Sequence, residues 1–277
     1  MTHRIGGVIT PLITPFERTG KGNLNIVEKA AKLLINEQIK YGAGTLFVFG
    51  YAGGCTRQLT ASQRQIHLRN IVKHVSGKVP VIAGVSDDNI NISADLAGQA
   101  EKVGADAIVL LLNHGEATYE KKVEAVVKST NNIPIFLYNN PHVGQKNNLT
   151  PEELKYLIVR YPKRITGLKE SSGDENIFRS FINLQQSLPA MQKFSLFMGE
   201  ATKIHWIIQN QYKFGFTLPG VVPVECNIPE RIPLYKSLLK GQNPTGIEYL
   251  SIPKVIEYLV DQEKIDQATL DFWNATD

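Results

Sequence analysis

The chain has little cysteine and no long apolar run, and each shortage excludes a class of protein. Its 277 residues include only two cysteines, Cys55 and Cys226, which are too few for a disulfide framework and form no C-x-x-C motif. We therefore expect a reduced, cytoplasmic setting. No stretch reaches the roughly 18 consecutive apolar residues of a membrane span. The early apolar segment is interrupted by Pro11 and Pro15 and lacks a small-residue cleavage pattern, which disfavours a signal peptide.

Charge of one sign is not concentrated anywhere in the chain. The formal net charge of +4 is spread without a Lys/Arg-rich run, so the sequence predicts neither a nucleic-acid partner nor a membrane partner. The six histidines are scattered, and the chain contains neither an H-E-x-x-H motif nor a closely spaced His/Cys/Asp cluster. We therefore expect no metal site.

Short β-branched runs alternate with longer amphipathic segments along the chain, which is typical of parallel βα units. The eight candidate strands are GGVITPLI, GTLFVFG, VPVIAGV, DAIVLLL, IPIFLYN, RITGLK, FSLFMG and KFGFTLPG. The candidate helices between them include 25–39, 62–75, 90–103, 119–129, 151–160 and 175–188. Several begin with a clear signal: Thr150 offers an N-cap hydroxyl, followed by Pro151 and by Glu153 at the third helical position.

This pattern predicts an α/β protein, a (β/α)8 TIM barrel with a short C-terminal helical extension. We expect one domain over residues 1–277, with the barrel in 1–225 and the last barrel helix and a helical tail in 226–277. A doubly wound sheet is the alternative, because alternation alone does not distinguish it from a barrel. Eight similar strands favour the barrel, whose chemistry lies at the carboxyl ends of its strands.

Two reactive side chains end neighbouring candidate strands. Tyr138 ends the fifth and Lys169 the sixth. If Lys169 points into the barrel, Gly167 and Ile165 point with it and leave space beneath the amine. Adjacent strands lie about 4.8 Å apart, so the amine and the tyrosine hydroxyl can meet. A lysine removed from water can attack a ketone, and a tyrosine can carry the proton. The alternatives are a solvated strand terminator and a packing ring.

Several segments together resemble a known family. These are GVITPLITPF, PVIAGV, YNNPHVGQKNNLTPEEL and ITGLKESSGD, in order over about residues 8–227. They are similar to the dihydrodipicolinate synthase / N-acetylneuraminate lyase superfamily of class I aldolases. The resemblance implies a Schiff base between Lys169 and the keto carbon of pyruvate or another 2-keto acid, with Tyr138 as the acid/base. It also implies a homotetramer or homodimer and no organic cofactor.

The turn after the second candidate strand departs from this family. Members usually carry G-[ST]-[ST]-G-E there and hold the substrate carboxylate with it, whereas this chain reads GYAGGCT from Gly50. The two hydroxyl-bearing residues of the family motif are missing here. Either Gly53 or Gly54 can correspond to the second glycine of that motif. Backbone amides of a glycine-rich turn still bind anions. We therefore predict substrate binding by Tyr51, Ala52, Gly53 and Gly54, with glycines that merely permit a tight turn as the alternative.

Other departures bear on the substrate. Dihydrodipicolinate synthases carry an arginine where this chain has Val143, and a PYY-like element where it reads LLNH from Leu111, so that activity is disfavoured. Ser171 stands where sialic-acid and 2-keto-3-deoxygluconate aldolases carry threonine, and its hydroxyl can bond to the substrate; the alternative is a serine that caps the next helix. Gly199 and Glu200 partly match the sugar-binding segment of the sialic-acid lyases, and Glu200 can reach a polyol tail.

The combined interpretation is a pyruvate-dependent class I aldolase or lyase that acts on a 2-keto-3-deoxy sugar acid or a related 4-hydroxy-2-keto acid. The alternatives are 4-hydroxy-tetrahydrodipicolinate synthase, N-acetylneuraminate lyase, a 2-keto-3-deoxy acid dehydratase and a non-catalytic binding descendant. A phosphate-binding barrel that uses Gly199 and residues 218–220 ranks lower, because no helix-opening Gly-Ser/Thr run follows them.

Overall fold

The structure is a computed structural model that describes residues 5–18, 24–51, 54, 58–113, 115–143, 147–242, 244–245 and 249–274. Eight parallel strands form a closed barrel in the order β1-β10-β9-β8-β7-β6-β5-β4, which confirms the predicted TIM barrel. The strands are β1 (Gly7–Pro11), β2 (Phe16–Arg18), β3 (Leu24–Ile26), β4 (Thr45–Val48), β5 (Val81–Gly84), β6 (Ala107–Leu111), β7 (Ile135–Asn139), β8 (Ile165–Glu170), β9 (Ser195–Met198) and β10 (Gly220–Val221).

Helices alternate with these strands and continue after the last one. They are α1 (Glu28–Tyr41), α2 (Ala61–Val75), α3 (Ile90–Val103), α4 (Tyr119–Ser129), α5 (Pro151–Arg160), α6 (Glu175–Ser187), α7 (Ile204–Asn210), α8 (Ile232–Leu239), α9 (Ile252–Asp261) and α10 (Gln267–Asn274). Helices α9 and α10 are the predicted C-terminal extension. None of the described helices is long and apolar enough to span a membrane.

The chain divides into two compact units. The first consists of Met1–Val81 and Pro223–Asp277, and the second of Ile82–Val222. Strands β1 and β4 belong to the first unit, and β6 to β9 belong to the second. The division of residues 1–277 into a barrel part and a tail within a single domain stays a prediction.

In the first unit, an antiparallel hairpin of β2 and β3 precedes α1. The sequence pattern placed a helix from residue 25 onward, but Ile26 pairs with Phe16 and the helix begins only at Glu28. Thr269 of α10 accepts a hydrogen bond from the backbone N–H of Phe16 at 2.9 Å and donates to its carbonyl oxygen. The C-terminal extension is thereby attached to the hairpin, which a local sequence pattern does not reveal.

In the second unit, predicted helix starts are confirmed by side-chain caps. Thr150 Oγ1 accepts from the Glu153 N–H at 3.2 Å, while Glu153 Oε2 accepts from the Thr150 N–H at 2.8 Å. Pro151 occupies the first turn, where its missing N–H costs nothing. These caps fix where α5 begins and therefore the length of the loop that follows β7.

The eighth predicted strand is misplaced. Strand β10 starts at Gly220, where the KFGFTLPG segment ends, and the segment itself is a turn and a loop. Gly215 takes the left-handed φ of 58°, and Gln186 Nε2 donates to the carbonyl oxygens of Phe214 and Gly215. Phe216 packs edge-on against Phe178 of α6. The alternating phenylalanines therefore contact helices instead of forming a strand.

Candidate active site

The ends of β7 and β8 bring the two predicted catalytic residues together. Tyr138 pairs with Lys169 in the parallel register, and Lys169 Nζ lies 4.0 Å from the centroid of the Tyr138 ring. Tyr138 is buried and Lys169 half-buried. The amine therefore contacts the face of the ring. The two residues are neighbours as expected, and their catalytic roles stay a prediction.

A β-bulge determines which residue faces Tyr138. Ile135 pairs with Ile165, but the next pair is Phe136 with Gly167, so Thr166 is an extra residue in β8. Paired residues of parallel strands point to the same face, and successive residues alternate. Ile165 thus pairs with Ile135, whereas Gly167 and Lys169 pair with Phe136 and Tyr138. The expectation that Ile165 points with the lysine stays a prediction.

Aromatic rings from the strands on either side of β8 meet next to the lysine. The rings of Phe136 and Phe197 stack with their centroids 5.4 Å apart, although β8 runs between their strands. This contact is possible because Gly167 has no side chain: a Cβ there would lie 2.8 Å from the Phe136 ring. Gly167 thus leaves space as expected, but the ring of Phe136 fills it. We call the face shared by Phe136, Tyr138 and Lys169 the inner face.

The opposite face of the same two strand ends carries a buried polar cluster. Asn139 Nδ2 donates to Glu170 Oε1 at 3.1 Å, and the backbone N–H of Ser172 donates to the same oxygen at 2.7 Å. Asn139 Oδ1 accepts from the Leu149 N–H at 3.0 Å. Glu170 is fully buried, and burial raises the pKa of its carboxyl group despite these hydrogen bonds. The cluster ties β7, β8 and the loops that follow them.

Ser171 and Gly199 lie directly beside the lysine. A Cβ on Gly199 would overlap Ser171 Oγ and would lie 2.5 Å from Lys169 Cε. Ser171 is buried, and its hydroxyl has no hydrogen-bond partner among the described residues. The next helix, α6, is capped by Asp174, whose Oδ1 accepts from the N–H of Asn176. The alternative that Ser171 caps this helix is therefore wrong.

Glu200 has a local structural role in addition to its predicted one. Its Oε1 accepts from the Thr202 N–H at 3.2 Å and from the Thr202 hydroxyl at 2.9 Å, which caps a 3-10 turn over Ala201–Lys203. Glu200 is half-buried, and its Cγ lies near Gly173 of the loop after β8. One carboxylate oxygen is thus occupied, and sugar binding by Glu200 stays a prediction.

The predicted carboxylate-binding turn belongs to the first unit, and Ala52 and Gly53 lie outside the described residues. Gly54 donates its N–H to the Gly50 carbonyl at 2.8 Å, and a Cβ on Gly54 would overlap the backbone of Phe49. The tight-turn interpretation thus accounts for Gly54, because its amide is already bonded within the turn. Substrate binding by Tyr51, which is half-buried, stays a prediction.

Two asparagines near Tyr138 were not identified as site residues from the sequence. Asn140 Nδ2 donates to Tyr138 Oη at 3.0 Å, and Asn113 Oδ1 accepts from the Asn140 backbone N–H at 2.7 Å. Asn113 belongs to the LLNH segment, where the sequence showed only the loss of the PYY-like element. The available sequence signal was that Asn113 and Asn140 each lie just beyond the end of a strand. Within the described residues, no three His, Cys, Asp or Glu side chains cluster as metal ligands.

Comparisons with known proteins agree with this architecture. The model of the dihydrodipicolinate synthetase family matches residues 4–261. The 4-hydroxy-tetrahydrodipicolinate synthase of Brucella suis is 28% identical over 295 residues, which cover 95% of this chain and 96% of that protein. A protein of Escherichia coli named as a probable 2-dehydro-3-deoxy-D-pentonate aldolase is 29% identical over 201 residues, 71% of this chain and 63% of that protein.

A solved structure shows the same fold. The dihydrodipicolinate synthase of Aquifex aeolicus superposes with a TM-score of 0.72 at 22% identity, over 94% of this chain and 82% of that chain. The match of the family model over residues 4–261 confirms the resemblance inferred from the sequence motifs.

Replacement of Glu170 should change how stability depends on pH. Its pKa is raised in the folded state, so the stabilisation linked to its proton is complete below the unfolded value of about 4.3 and is lost as the pH rises through the folded pKa. In Glu170→Gln, the free energy of unfolding should fall less between pH 4 and 7 than in the wild type. Urea titrations at several pH values measure this, with exposed Glu152→Gln as the control; an unchanged pH dependence contradicts the prediction.

Gly199→Ala should displace the lysine without unfolding the chain. The new Cβ meets Lys169 Cε and Ser171 Oγ, both on side chains that can rotate away. Because a misplacement of about 1 Å can cost about a hundredfold in rate, modification of Lys169 by pyruvate and borohydride should slow by about that factor at a nearly unchanged melting temperature. Adding Ser171→Ala should not restore the rate, since the lysine is still displaced. Full recovery in the double variant contradicts this prediction.

Proposed function

Because the chain belongs to the dihydrodipicolinate synthetase family, we propose that it is a pyruvate-dependent class I lyase that forms a Schiff base on Lys169. One observation carries this proposal. The lysine amine lies 4.0 Å above the ring of Tyr138, where two adjacent parallel strands of a TIM barrel end. This is the end of the barrel at which such folds carry out their chemistry.

The proposed reaction needs only these two side chains for its proton and electron transfers. The free amine of Lys169 attacks the keto carbon, and one proton passes from its nitrogen to the keto oxygen, which gives a neutral carbinolamine. Tyr138 then gives a second proton to the new hydroxyl, which leaves as water, so that an iminium ion and the Tyr138 phenolate remain. The Tyr138 phenolate then takes the proton of the 4-hydroxyl, the bond between C3 and C4 breaks, and the electron pair of that bond passes to the iminium. An aldehyde leaves. The enamine that remains takes a proton at C3 from Tyr138, and addition of water to the resulting iminium returns a proton to Tyr138 and releases pyruvate and the free lysine.

The preferred substrate is a 2-keto-3-deoxy sugar acid or a related 4-hydroxy-2-keto acid. Ser171 supports this choice, because its buried hydroxyl has no partner among the described residues and lies beside the lysine stem. Val143 occupies the loop position of the arginine expected in a dihydrodipicolinate synthase. A synthase, an N-acetylneuraminate lyase, a dehydratase and a binding descendant are the competing activities.

We further propose a homotetramer or homodimer in the cytoplasm. Exposed apolar side chains on helices α1, α2 and α5, namely Leu33, Ile66, Tyr156 and Val159, are consistent with subunit contacts. Cys226 is a buried free thiol, which suits a reducing compartment. A monomer by analytical ultracentrifugation, or a secreted product on cell fractionation, contradicts the respective proposal.

Reduction of the protein with borohydride in the presence of pyruvate should attach the reduced adduct to Lys169. Peptide mass spectrometry locates the adduct, and Lys169→Ala should abolish both the adduct and turnover. Tyr138→Phe should retain the fold and slow adduct formation by about a hundredfold or more, because the proton carrier is lost. The exposed Lys155→Ala variant is the control. An unmodified Lys169 in the wild type contradicts the Schiff-base mechanism.

Assays of several candidate substrates should identify the compound that the enzyme cleaves to pyruvate or joins to it. We expect pyruvate release from 2-keto-3-deoxy acids of five or six carbons, with little consumption of pyruvate in the presence of aspartate semialdehyde and little cleavage of sialic acid. Coupled detection of pyruvate measures all three. Loss of a 2-keto-3-deoxy acid without pyruvate release indicates a dehydratase, and adduct formation without turnover of any substrate indicates a binding descendant.

A further inference from the structure

The loop after β7 holds the hydroxyl of Tyr138 in a fixed direction. Asn140 Nδ2 donates to Tyr138 Oη at 3.0 Å, and Asn140 Oδ1 accepts from the His142 backbone N–H at 3.2 Å. The bond from His142 decides the orientation of the amide, because a backbone N–H can only face the amide oxygen. The nitrogen must therefore face Tyr138. Tyr138 Oη accepts this bond, so its own proton is directed away from Asn140.

Asn140 is itself anchored by the loop after β6. Its backbone N–H donates to Asn113 Oδ1 at 2.7 Å, and Asn113 is fully buried. Asn113 Nδ2 contacts the Asn147 carbonyl oxygen, which also accepts from Tyr119 Oη at 2.9 Å. A single buried amide thus joins the loops that follow two neighbouring strands. It restricts the position of Asn140 relative to the strand that carries Tyr138.

The buried Lys122 holds the segment of the loop that carries Asn113. Lys122 Nζ donates to the carbonyl oxygens of Leu112 and Gly115 at 2.6 and 3.4 Å, which flank Asn113 in the chain. Burial lowers the pKa of Lys122 to about 8, against the opposing charge of Asp88. The loop after β6 is thus fixed from α4, and all these groups belong to the second compact unit.

We propose that Asn140 is a positioning residue that directs and promotes proton transfer from Tyr138, with Asn113 as its anchor. This proposal rests on the proposed function and deepens it. A hydrogen bond donated to the phenolic oxygen stabilises the phenolate more than the neutral phenol. Asn140 therefore favours the step in which the proton of Tyr138 moves to the departing hydroxyl of the carbinolamine, which leaves as water.

The discriminating variant is Asn140→Asp. It keeps the oxygen that accepts from His142, so the turn is retained, but it replaces the donor to Tyr138 by a carboxylate oxygen. Hydrogen bonds to charged groups contribute roughly 1.5 to 3 kcal/mol, so the limiting rate of pyruvate adduct formation on Lys169 should fall about ten- to a hundredfold. The pyruvate concentration for half-maximal rate should change much less, because Asn140 acts through Tyr138 and not on the carboxylate.

A double-variant cycle separates this role from a structural one. In a Tyr138→Phe background, Asn140→Asp should cause no further loss, because the oxygen on which it acts is absent. Asn176→Asp, the same change at an exposed position of α6, is the control for added charge and should leave the rate within about twofold. Circular dichroism should show the same melting temperature for Asn140→Asp and this control within a few degrees.

The outcomes distinguish this proposal from the proposed function. If the wild type forms no adduct on Lys169, the Schiff-base mechanism itself is wrong. If the wild type forms the adduct but Asn140→Asp reacts at the control rate, Asn140 does not position Tyr138. If Asn140→Asp lowers the rate by the same factor with tyrosine and with phenylalanine at position 138, its effect is structural and the proposal is overturned.

Discussion

The arrangement of the site depends on a one-residue offset between β7 and β8. Thr166 is the extra residue, and beyond it Tyr138 pairs with Lys169. In an uninterrupted register, Tyr138 would pair with Leu168, and the lysine would point to the opposite face of the sheet. The bulge therefore decides that the amine and the phenol share the inner face. The stacking of Phe136 with Phe197 across Gly167 and the contact of Asn139 with Glu170 both agree with this register.

The same register has an energetic cost on the opposite face of the two strands, which carries Asn139 and Glu170. It aligns Asn139 with Glu170 and places the carboxylate in a fully buried position, where ionisation is unfavourable. Hydrogen bonds from Asn139 and from the Ser172 N–H offset part of this cost. A slipped register would separate Asn139 from Glu170 and remove one of the two donors to the buried carboxylate. The contact between Asn139 and Glu170 thus disfavours registers in which Tyr138 and Lys169 are apart.

The sequence predicted regular elements better than irregular ones. Helices α3, α4 and α5 start and end at the predicted residues, because local caps and apolar periodicity specify them. The bulge at Thr166 has no comparable signal, since it results from pairing between strands that are distant in sequence. Asn140 was hidden for another reason: its partners, Tyr138 and the His142 N–H, are evident only when the turn geometry is known.

Two glycines leave space that neighbouring side chains of the site occupy. At Gly167 the missing side chain is replaced by the Phe136 ring, and at Gly199 by the stem of Lys169 and the hydroxyl of Ser171. The stem of Lys169 therefore occupies the space beside Gly199, and its amine lies above the Tyr138 ring. In the proposed mechanism, Lys169 selects the keto carbon that reacts but not the rest of the substrate. We therefore expect substrate choice to come from the loops, where Ser171 and Glu200 follow the strands that position the amine.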